Sequence, residues 1–412
     1  MRKSSIILSL LSGVIFFACS AKESPTASSP DSPAPVETQD TTPIVPDAEI
    51  IQEPTPVRIV DTFYDNFAGL YAGDTNTIKA IIDSADWPSW MEYSKNFRGE
   101  FVRNDNALRQ GVDRWRDSVL NSKIDKSLDL VYLFSGPDVL YPRLFFPDAN
   151  NVYMCALEPV NALPDYTSFS ANKVAQYQQD IKAAFENIVG DSYYITSYMS
   201  SELRSDVEGV LPMMLVTAKI KGGTIEEVFF FEPDKEGAVD TVENGKANGV
   251  SIRVRYPDNK VQQYIYYSGN IGNEDYAGKA GLNANPNLRA YFENFPVHNS
   301  FIKAASYIPH DTRGFSIAVD AIYDGEAIFQ DPTGIKCSMA SRDTSRTMYV
   351  MGTMRNGCKP LHHFKWITFD CLISYFRNNK DLILEEPPFK FGYQKRQKEC
   401  APCFNYQLIV KN

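Results

Sequence analysis

The stretch LDLVYLFSGPDVLYPRLFFPDANNVYMCALEPVN, residues 128–161, decides the fold. An apolar run over 130–134 is followed by the turn residues Ser135–Asp138, an apolar segment over 139–146 and a second apolar run over 152–157. Short apolar runs bounded by turn residues are typical of buried strands, and a helix between two of them is typical of parallel pairing. The stretch therefore predicts two parallel strands, buried on both faces, with a helix between them.

Helical periodicity dominates the residues before this unit. Apolar side chains recur three and four positions apart in four segments: 61–72, 77–82, 90–101 and 106–120. Such spacing places the apolar side chains on one face of a helix. A further helix, opening at Ser170 after the unit, has the same pattern up to Ile188. We therefore expect a helical section first, and then helices and strands in alternation, which is the pattern of a layered α/β domain.

After Gly209 the spacing of apolar residues changes from that of a helix to the two-residue alternation of a β-strand. Segments 213–220 and 225–231 flank Lys221-Gly222-Gly223, and segments 250–256 and 261–267 flank Pro257–Lys260. Each pair predicts a β-hairpin, because two alternating runs on either side of a short turn are the usual hairpin signal. The polar residues 232–248 between the two hairpins are predicted to form an exposed loop.

The remaining chain completes the predicted organisation. Short helices are expected at 288–295, 301–307 and 316–323, with a turn at Asp331–Gly334. The sequence predicts an α/β fold with a Rossmann-like layered core, in which parallel strands are followed by antiparallel hairpins. Its sections are a helical N-terminal section at 58–127, an α/β core at 128–336 and a Cys-containing C-terminal extension, packed on the core, at 337–412.

The N-terminus has the pattern of an export signal. Arg2 and Lys3 precede an apolar run, Ile6–Phe17, which is too short to span a bilayer, and Ala18 precedes Cys19. This ending resembles the lipobox of bacterial lipoproteins. The resemblance implies that residues 1–18 are removed as a signal peptide and that the thiol of Cys19 is lipidated.

Residues 19–57 predict a disordered linker behind that anchor. Ser20–Val57 contains eight prolines and seven acidic residues against the single Lys22. Such a segment cannot bury enough apolar surface to offset its ordering entropy. The chain carries a formal net charge of −10 and has no basic block, which argues against nucleic acid as a partner.

Several short motifs resemble a family of uncharacterised bacterial lipoproteins. They are FSGPD, FFPDA, ALEPV, FIKAASYIPH and IFQDPTGI, within 63–335. The resemblance implies no known activity. Relatives tend to carry a second acidic residue in the last motif, where this chain has Asp331-Pro332. If that acid is functional in the family, its loss here argues against catalysis.

At the level of fold, residues 134–158 also resemble a degenerate core of the class I methyltransferases. In such a core a glycine turn lets the backbone approach a nucleoside, and an acid after the second strand bonds the ribose hydroxyls. Glu158 follows Gly136 by about the 20 residues usual for such an acid. However, one glycine remains in the turn, Pro137 removes an N–H, and Asp138 places negative charge at the start of the helix, where it repels an anionic ligand.

The expected compartment argues against a nucleoside cofactor. S-adenosylmethionine and NAD are cytoplasmic, so an exported chain has no supply of them, and we expect no cofactor. The ligand-binding candidates are the polar residues expected at the carboxyl ends of the strands, where this fold binds ligands: Ser135, Gly136, Asp138, Glu158 and Asp331. The simpler interpretation, which we favour, makes Asp138 a helix cap and Glu158 a turn or ion-pair residue.

A serine hydrolase is an alternative at the same turn. Ser135 would be the nucleophile, with Asp138 or Glu158 as the acid. The histidine would be His298 or His310. The turn lacks the G-x-S-x-G frame that exposes a nucleophile in α/β-hydrolases, so this alternative is weaker.

The cysteines predict disulfides near the C-terminus. Cys155 is expected to be a small buried hydrophobe in the second strand. Oxidation is the expected state of an exported cluster, and the candidates, with three pairings open, are Cys358, Cys371, Cys400 and Cys403. Cys400-Ala401-Pro402-Cys403 has redox spacing but is followed by a predicted strand rather than the helix that stabilises a thiolate. One close cysteine pair is too few for a typical zinc site, even with His362 or His363 nearby, and no metal is expected.

These observations predict an uncharacterised membrane-anchored lipoprotein of the bacterial cell envelope. In some bacteria, acidic residues just after the lipidated cysteine direct a lipoprotein to the cell surface. Here Glu23 is the single acidic residue close to Cys19, so the outer membrane, facing the periplasm, is the favoured location. We expect a non-catalytic binding or scaffold protein, held by the lipid on Cys19, with an envelope ligand or protein as its partner. The alternative is an envelope hydrolase or group-transfer enzyme with a site near Ser135, Asp138 and Glu158.

Overall fold

A parallel strand–helix–strand unit lies in the middle of the sheet in the computed structural model. Strands β1 (Asp129–Leu133) and β2 (Asn151–Ala156) pair in parallel, and helix α5 (Leu140–Phe145) connects them. The prediction for this stretch is therefore confirmed. The structure describes residues 60–109, 111–191, 208–243, 246–276, 278–305, 313–354, 369–392 and 405–412.

The other elements follow in chain order. The remaining strands are β3 (Thr224–Pro233), β4 (Val239–Val242), β5 (Gly249–Arg255), β6 (Val261–Ser268), β7 (His298–Ile302), β8 (Ala327–Gln330), β9 (Arg346–Gly352), β10 (Ile383–Leu384) and β11 (Asn405–Lys411). The helices are α1 (Thr62–Tyr71), α2 (Thr75–Ile81), α3 (Trp87–Arg109), α4 (Val112–Trp115), α6 (Ala171–Asp191), α7 (Leu211–Ile220), α8 (Pro286–Glu293), α9 (Ser316–Tyr323), α10 (Cys337–Ala340) and α11 (Asp370–Asn378). Single 3₁₀ turns occur at Ser84–Asp86, Tyr166–Ser168 and Lys380–Leu382, and a π turn at Arg116–Leu120.

All described strands belong to one mixed sheet in the order β10-β9-β11-β8-β7-β1-β2-β6-β5-β3-β4. The five strands β6-β2-β1-β7-β8 are parallel. Numbered along the chain, they have the order 3-2-1-4-5 of doubly wound folds, with the topological switch point between β1 and β7. The α/β, Rossmann-like prediction is confirmed, and the antiparallel strands extend both ends of this parallel centre.

Both faces of the sheet are covered by apolar layers. Leu130 and Tyr132 of β1 pack in a cluster that includes α1, α6 and α7, whereas Val131 and Leu133 pack in a second cluster with α8, α9 and α11. Successive residues of a strand point to opposite faces, and all four are at most 1% exposed. The continuous apolar run seen in the sequence thus reflects a strand buried on both sides.

One of the two predicted hairpins is wrong. β5 and β6 pair in antiparallel as predicted for 250–267, but residues 213–220 lie in the helix α7 and not in a strand. The buried residues of α7 run without interruption from Leu211 to Ala218. A helix buried all round carries no polar face, so its sequence lacks the helical period and was mistaken for a strand.

Two further segments differ from their predictions. Residues 301–302 end the strand β7 rather than opening a helix, and every residue of β7 is buried, so the strand shows no alternation that the sequence could reveal. The predicted loop 232–248 contains β4, which pairs with the end of β3. The helices predicted at 288–295 and 316–323 are confirmed as α8 and α9.

The disulfide in the described residues joins Cys371 to Cys337, which is 34 positions earlier. The predicted pairing of Cys371 within the C-terminal cluster is therefore wrong, because α11 packs against α10, where Cys337 begins the helix. Cys358, Cys400 and Cys403 lie outside the described residues. Cys155 is a buried free thiol in β2, as predicted.

Candidate functional site

The carboxyl ends of the five parallel strands meet at one edge of the sheet, where doubly wound folds bind ligands. Each sequence candidate lies just beyond one of these ends. Ser135, Gly136 and Asp138 follow β1, Glu158 follows β2, and Asp331 follows β8. The topology therefore brings all five predicted residues to the same edge.

Asp138 is enclosed in the protein, and its carboxylate has three partners. The hydroxyl of Tyr132 donates to Oδ2 at 2.7 Å, the Nζ of Lys303 lies 2.5 Å from the same oxygen, and the backbone N–H of Tyr141 donates to Oδ1 at 3.2 Å. The side chain of Asp138 is 0% exposed and that of Lys303 is 2% exposed. Asp138 is thus a cap at the start of α5 and the anion of a buried ion pair.

Asp331 contacts the backbone directly after Lys303. Its Oδ2 accepts a hydrogen bond from the N–H of Ala304 at 3.0 Å, and its Oδ1 accepts from the backbone N–H and hydroxyl of Thr333. Burial raises the pKa of this carboxyl above its ordinary value, against the opposing effect of these hydrogen bonds and of the Lys303 charge. Asp331 therefore retains its proton to a higher pH than an exposed aspartate.

Aromatic rings surround these charged groups. The Nζ of Lys303 lies 3.8 Å from the centroid of the Tyr141 ring, a distance typical of a cation–π contact. Phe391 stacks on Tyr406 with ring centroids 4.2 Å apart, and the hydroxyl of Tyr406 accepts from the N–H of Phe391. Burial, together with the nearby Asp138 carboxylate, raises the pKa of Tyr132. Charged and aromatic side chains are therefore buried together beside the switch point.

The turn after β1 has an unusual backbone. Phe134 has a φ of 62° and Gly136 one of 56°; the left-handed region is uncommon for a bulky residue such as phenylalanine. The Phe134 ring packs on Phe315 at 5.8 Å. Ser135 is buried, and its hydroxyl donates to the carbonyl of Gly136 at 3.0 Å.

A second polar group lies at the ends of β2 and β6. The Nζ of Lys279 donates to the hydroxyl of Ser268 at 2.8 Å and to its carbonyl at 3.2 Å. Glu158 is buried, and its carbonyl accepts from the Tyr266 hydroxyl at 2.8 Å. Burial lowers the pKa of Lys279, and the nearby Glu158 opposes this shift. Lys279 thus fastens the loop after β6 to the end of that strand.

The histidine proposed for a triad lies at the opposite edge. His298 begins β7, whereas Ser135 follows the end of β1, and the two strands run parallel. The ring nitrogens of His298 lie 2.7 Å and 3.1 Å from the carbonyls of Pro296 and Ala321. His298 therefore cannot act on Ser135, and the other candidate, His310, lies outside the described residues.

Side chains of α4, α5, the π turn and the loops that precede β2 and β6 line a polar cleft of about 230 Å³. Its arginines already have partners, because Arg143 pairs with Asp258 at 2.8 Å and Arg116 with Asp113 at 2.8 Å. Over the described ranges, no cluster of three or more His, Cys, Asp or Glu side chains could hold a metal ion. The cleft is therefore lined by a network of ion pairs.

Lys303 and Lys279 are the site residues that the sequence interpretation missed. Lys303 lies in the motif FIKAAS, which was predicted to be helical and so received no place at a strand end. The strand before it is buried at every position, and no local signal distinguishes it. A lysine directly after a short apolar run, in a chain rich in strand-end acids, was the available clue.

Comparison with known proteins gives no assignment. No family model, no curated protein and no solved structure matches this chain. Within the part of the chain that the structure describes, no helix has the length and apolarity needed to cross a bilayer.

Proposed function

We propose that this chain is a lipid-anchored protein of the bacterial cell envelope that works as a non-catalytic binding or scaffold module. The lipobox-like ending at Cys19 supports the anchor, and the linker up to residue 57 supports a body held away from the membrane. The outer membrane, facing the periplasm, is the location this proposal favours, and the partner is an envelope ligand or protein.

The observation that carries the non-catalytic part is the state of Asp138. Its carboxylate is fully enclosed and accepts from Tyr132, Tyr141 and Lys303. A carboxylate that serves a substrate must be reachable by it, whereas this one satisfies internal donors. The fold's usual ligand position at the switch point is accordingly part of the interior.

The anchor is tested by fractionating cells that express the full chain. We expect the wild-type protein in the membrane fraction and Cys19→Ser in the soluble fraction, with Ser20→Ala unchanged as the control. Because a lipid anchor binds through buried hydrocarbon and salt screens only charge, partial release of the wild type in high salt would contradict a lipoprotein anchor.

The second candidate, an envelope hydrolase or group-transfer enzyme at Ser135, Asp138 and Glu158, has one observation in its favour. The left-handed Phe134 gives the turn local backbone strain, which is enriched at functional sites. A fluorophosphonate probe distinguishes the two proposals. We expect no labelling of the folded full chain; labelling that disappears in Ser135→Ala would replace the scaffold proposal with the hydrolase.

A further inference from the structure

The ion pair between Asp138 and Lys303 is the most deeply buried one among the described residues. The two side chains are 0% and 2% exposed, and Lys303 Nζ lies 2.5 Å from Asp138 Oδ2. Burying two opposite charges costs several kcal/mol of hydration per ion. The site therefore favours any process that removes both charges.

Two tyrosines and a second acid surround the pair. Tyr141 places its ring against Lys303, and the Tyr132 hydroxyl donates to Asp138. The second acid of the site, Asp331, lies near Lys303: a Cβ added at Gly392 would overlap Asp331 Oδ2 and would lie 3.4 Å from Lys303 Cγ. An amine, a carboxyl group and a second carboxyl group are thus enclosed together.

We propose that Asp138 and Lys303 condense into an intramolecular amide, which covalently joins the ends of β1 and β7, and that Asp331 promotes the reaction. The chemistry requires no cofactor or oxidant. It is independent of the envelope function proposed above, since it concerns only groups inside the folded body.

The reaction balances within the site. The Lys303 ammonium first gives one proton to Oδ2 of Asp138, which leaves a neutral amine and a neutral carboxyl. The Nζ lone pair then attacks Cγ, and a second Nζ proton passes to Oδ2, which departs as water. Nζ keeps its third proton as the amide N–H. Oδ1, which already accepts from the N–H of Tyr141, becomes the amide oxygen.

Each neighbour has a role in this sequence. Tyr132 donates to the oxygen that leaves, and Tyr141 donates to the oxygen that stays. Asp331, whose pKa is raised by burial, relays a proton from Nζ to the departing oxygen. The fixed orientation of the two groups accelerates the attack, because well-oriented intramolecular reactions reach effective concentrations of about 10⁵–10⁸ M.

The wild-type full chain decides the question by mass spectrometry after complete denaturation and tryptic digestion. The cross-link predicts a branched product in which residues 127–143 are joined to residues 290–313, because trypsin cannot cleave after an acylated Lys303. Its mass should equal the sum of the two peptides less one water molecule. A digest that yields only linear peptides, one of them ending at Lys303, would overturn the proposal.

The chain provides a matched internal control. Lys219 and Asp65 form another Lys–Asp pair with Nζ and Oδ2 2.7 Å apart, but their side chains are 12% and 14% exposed. The peptide ending at Lys219 should be recovered linear in the same digest. A branched product at this pair as well would show non-specific condensation during sample handling and would count against the proposal.

Two variants test the role of Asp331. Asp331→Asn keeps the shape of the side chain but cannot relay a proton, and we expect it to lose the branched product while its circular dichroism stays that of the wild type. Asp331→Glu should recover part of the product. Full cross-linking in folded Asp331→Asn would refute the promoting role, while the wild-type digest, which needs no variant to fold, still decides the cross-link itself.

Discussion

Asp138 combines three functions in one carboxylate, as a helix cap, as the acceptor of a tyrosine hydroxyl and as the partner of a buried lysine. Replacing it by alanine leaves Lys303 buried without this partner. We expect Asp138→Ala to lower the free energy of unfolding by at least about 3 kcal/mol. Urea denaturation followed by circular dichroism measures the change.

The exposed pair Lys411–Glu326, with side chains 39% and 42% exposed, is the control for that prediction. Glu326→Ala should lower the free energy of unfolding by less than about 1 kcal/mol, as is typical of surface pairs. Equal losses in the two variants would mean that burial does not determine the contribution of Asp138.

Gly392 tests how tightly the group around Asp331 is packed. Its φ is 63°, and an added Cβ would overlap Asp331 Oδ2; Gly278 has a φ of 77° with open space around it. Gly278→Ala should therefore lower the free energy of unfolding by only about 1 kcal/mol, the cost of a left-handed alanine. Gly392→Ala should lower the free energy of unfolding clearly more, because backbone strain and steric overlap act together. Thermal unfolding of both variants compares them directly.

His298 predicts a pH dependence of stability. Burial lowers its pKa in the folded state below the ordinary value of 6.5, so below pH 6.5 the unfolded chain binds a proton that the folded chain resists. The contribution of His298 is complete above that pH and is lost as the pH falls toward its folded pKa. Between pH 7 and pH 5, the free energy of unfolding should fall more steeply in the wild type than in His298→Gln.

At the scale of elements, the disulfide joins two short helices, α10 and α11. Cys337 begins α10 and Cys371 lies in the first turn of α11, 34 residues later. Closing a loop of this length lowers the entropy of the unfolded chain by the equivalent of about 3–4 kcal/mol. We expect Cys371→Ser to lower the melting temperature, and the reductant dithiothreitol to produce a smaller shift in the variant than in the wild type.

The same scale explains which parts of the fold could be predicted. β1 and β2 were recognisable because short apolar runs with turn residues at their ends have few other interpretations. The prediction for helix α7 was wrong for the opposite reason, because burial on every side removes the polar positions that mark a helical period. The prediction for the residues of strand β7 was wrong for the same reason, and Lys303 was therefore not placed at a strand end. The sequence therefore located the acids of the candidate site but not the lysine that neutralises Asp138.

For the whole molecule, long-range pairing is the part that local patterns could not supply. β11 pairs with β8 and β9, which precede it by many residues, and nothing within 405–411 specifies these neighbours. The Cys337–Cys371 pairing has the same origin, since it depends on where α10 and α11 pack. Fold class follows from local periodicity, whereas the register of distant segments follows from the packing of the complete body, Val57–Asn412.

The position of β11 has a consequence for biogenesis. Because this strand separates β8 from β9 and is later in the sequence than both, one edge of each stays unpaired until residues 405–411 have been translated. Until then the edges of β8 and β9 that face β11 have no partner strand, and unpaired strand edges are sites of aggregation.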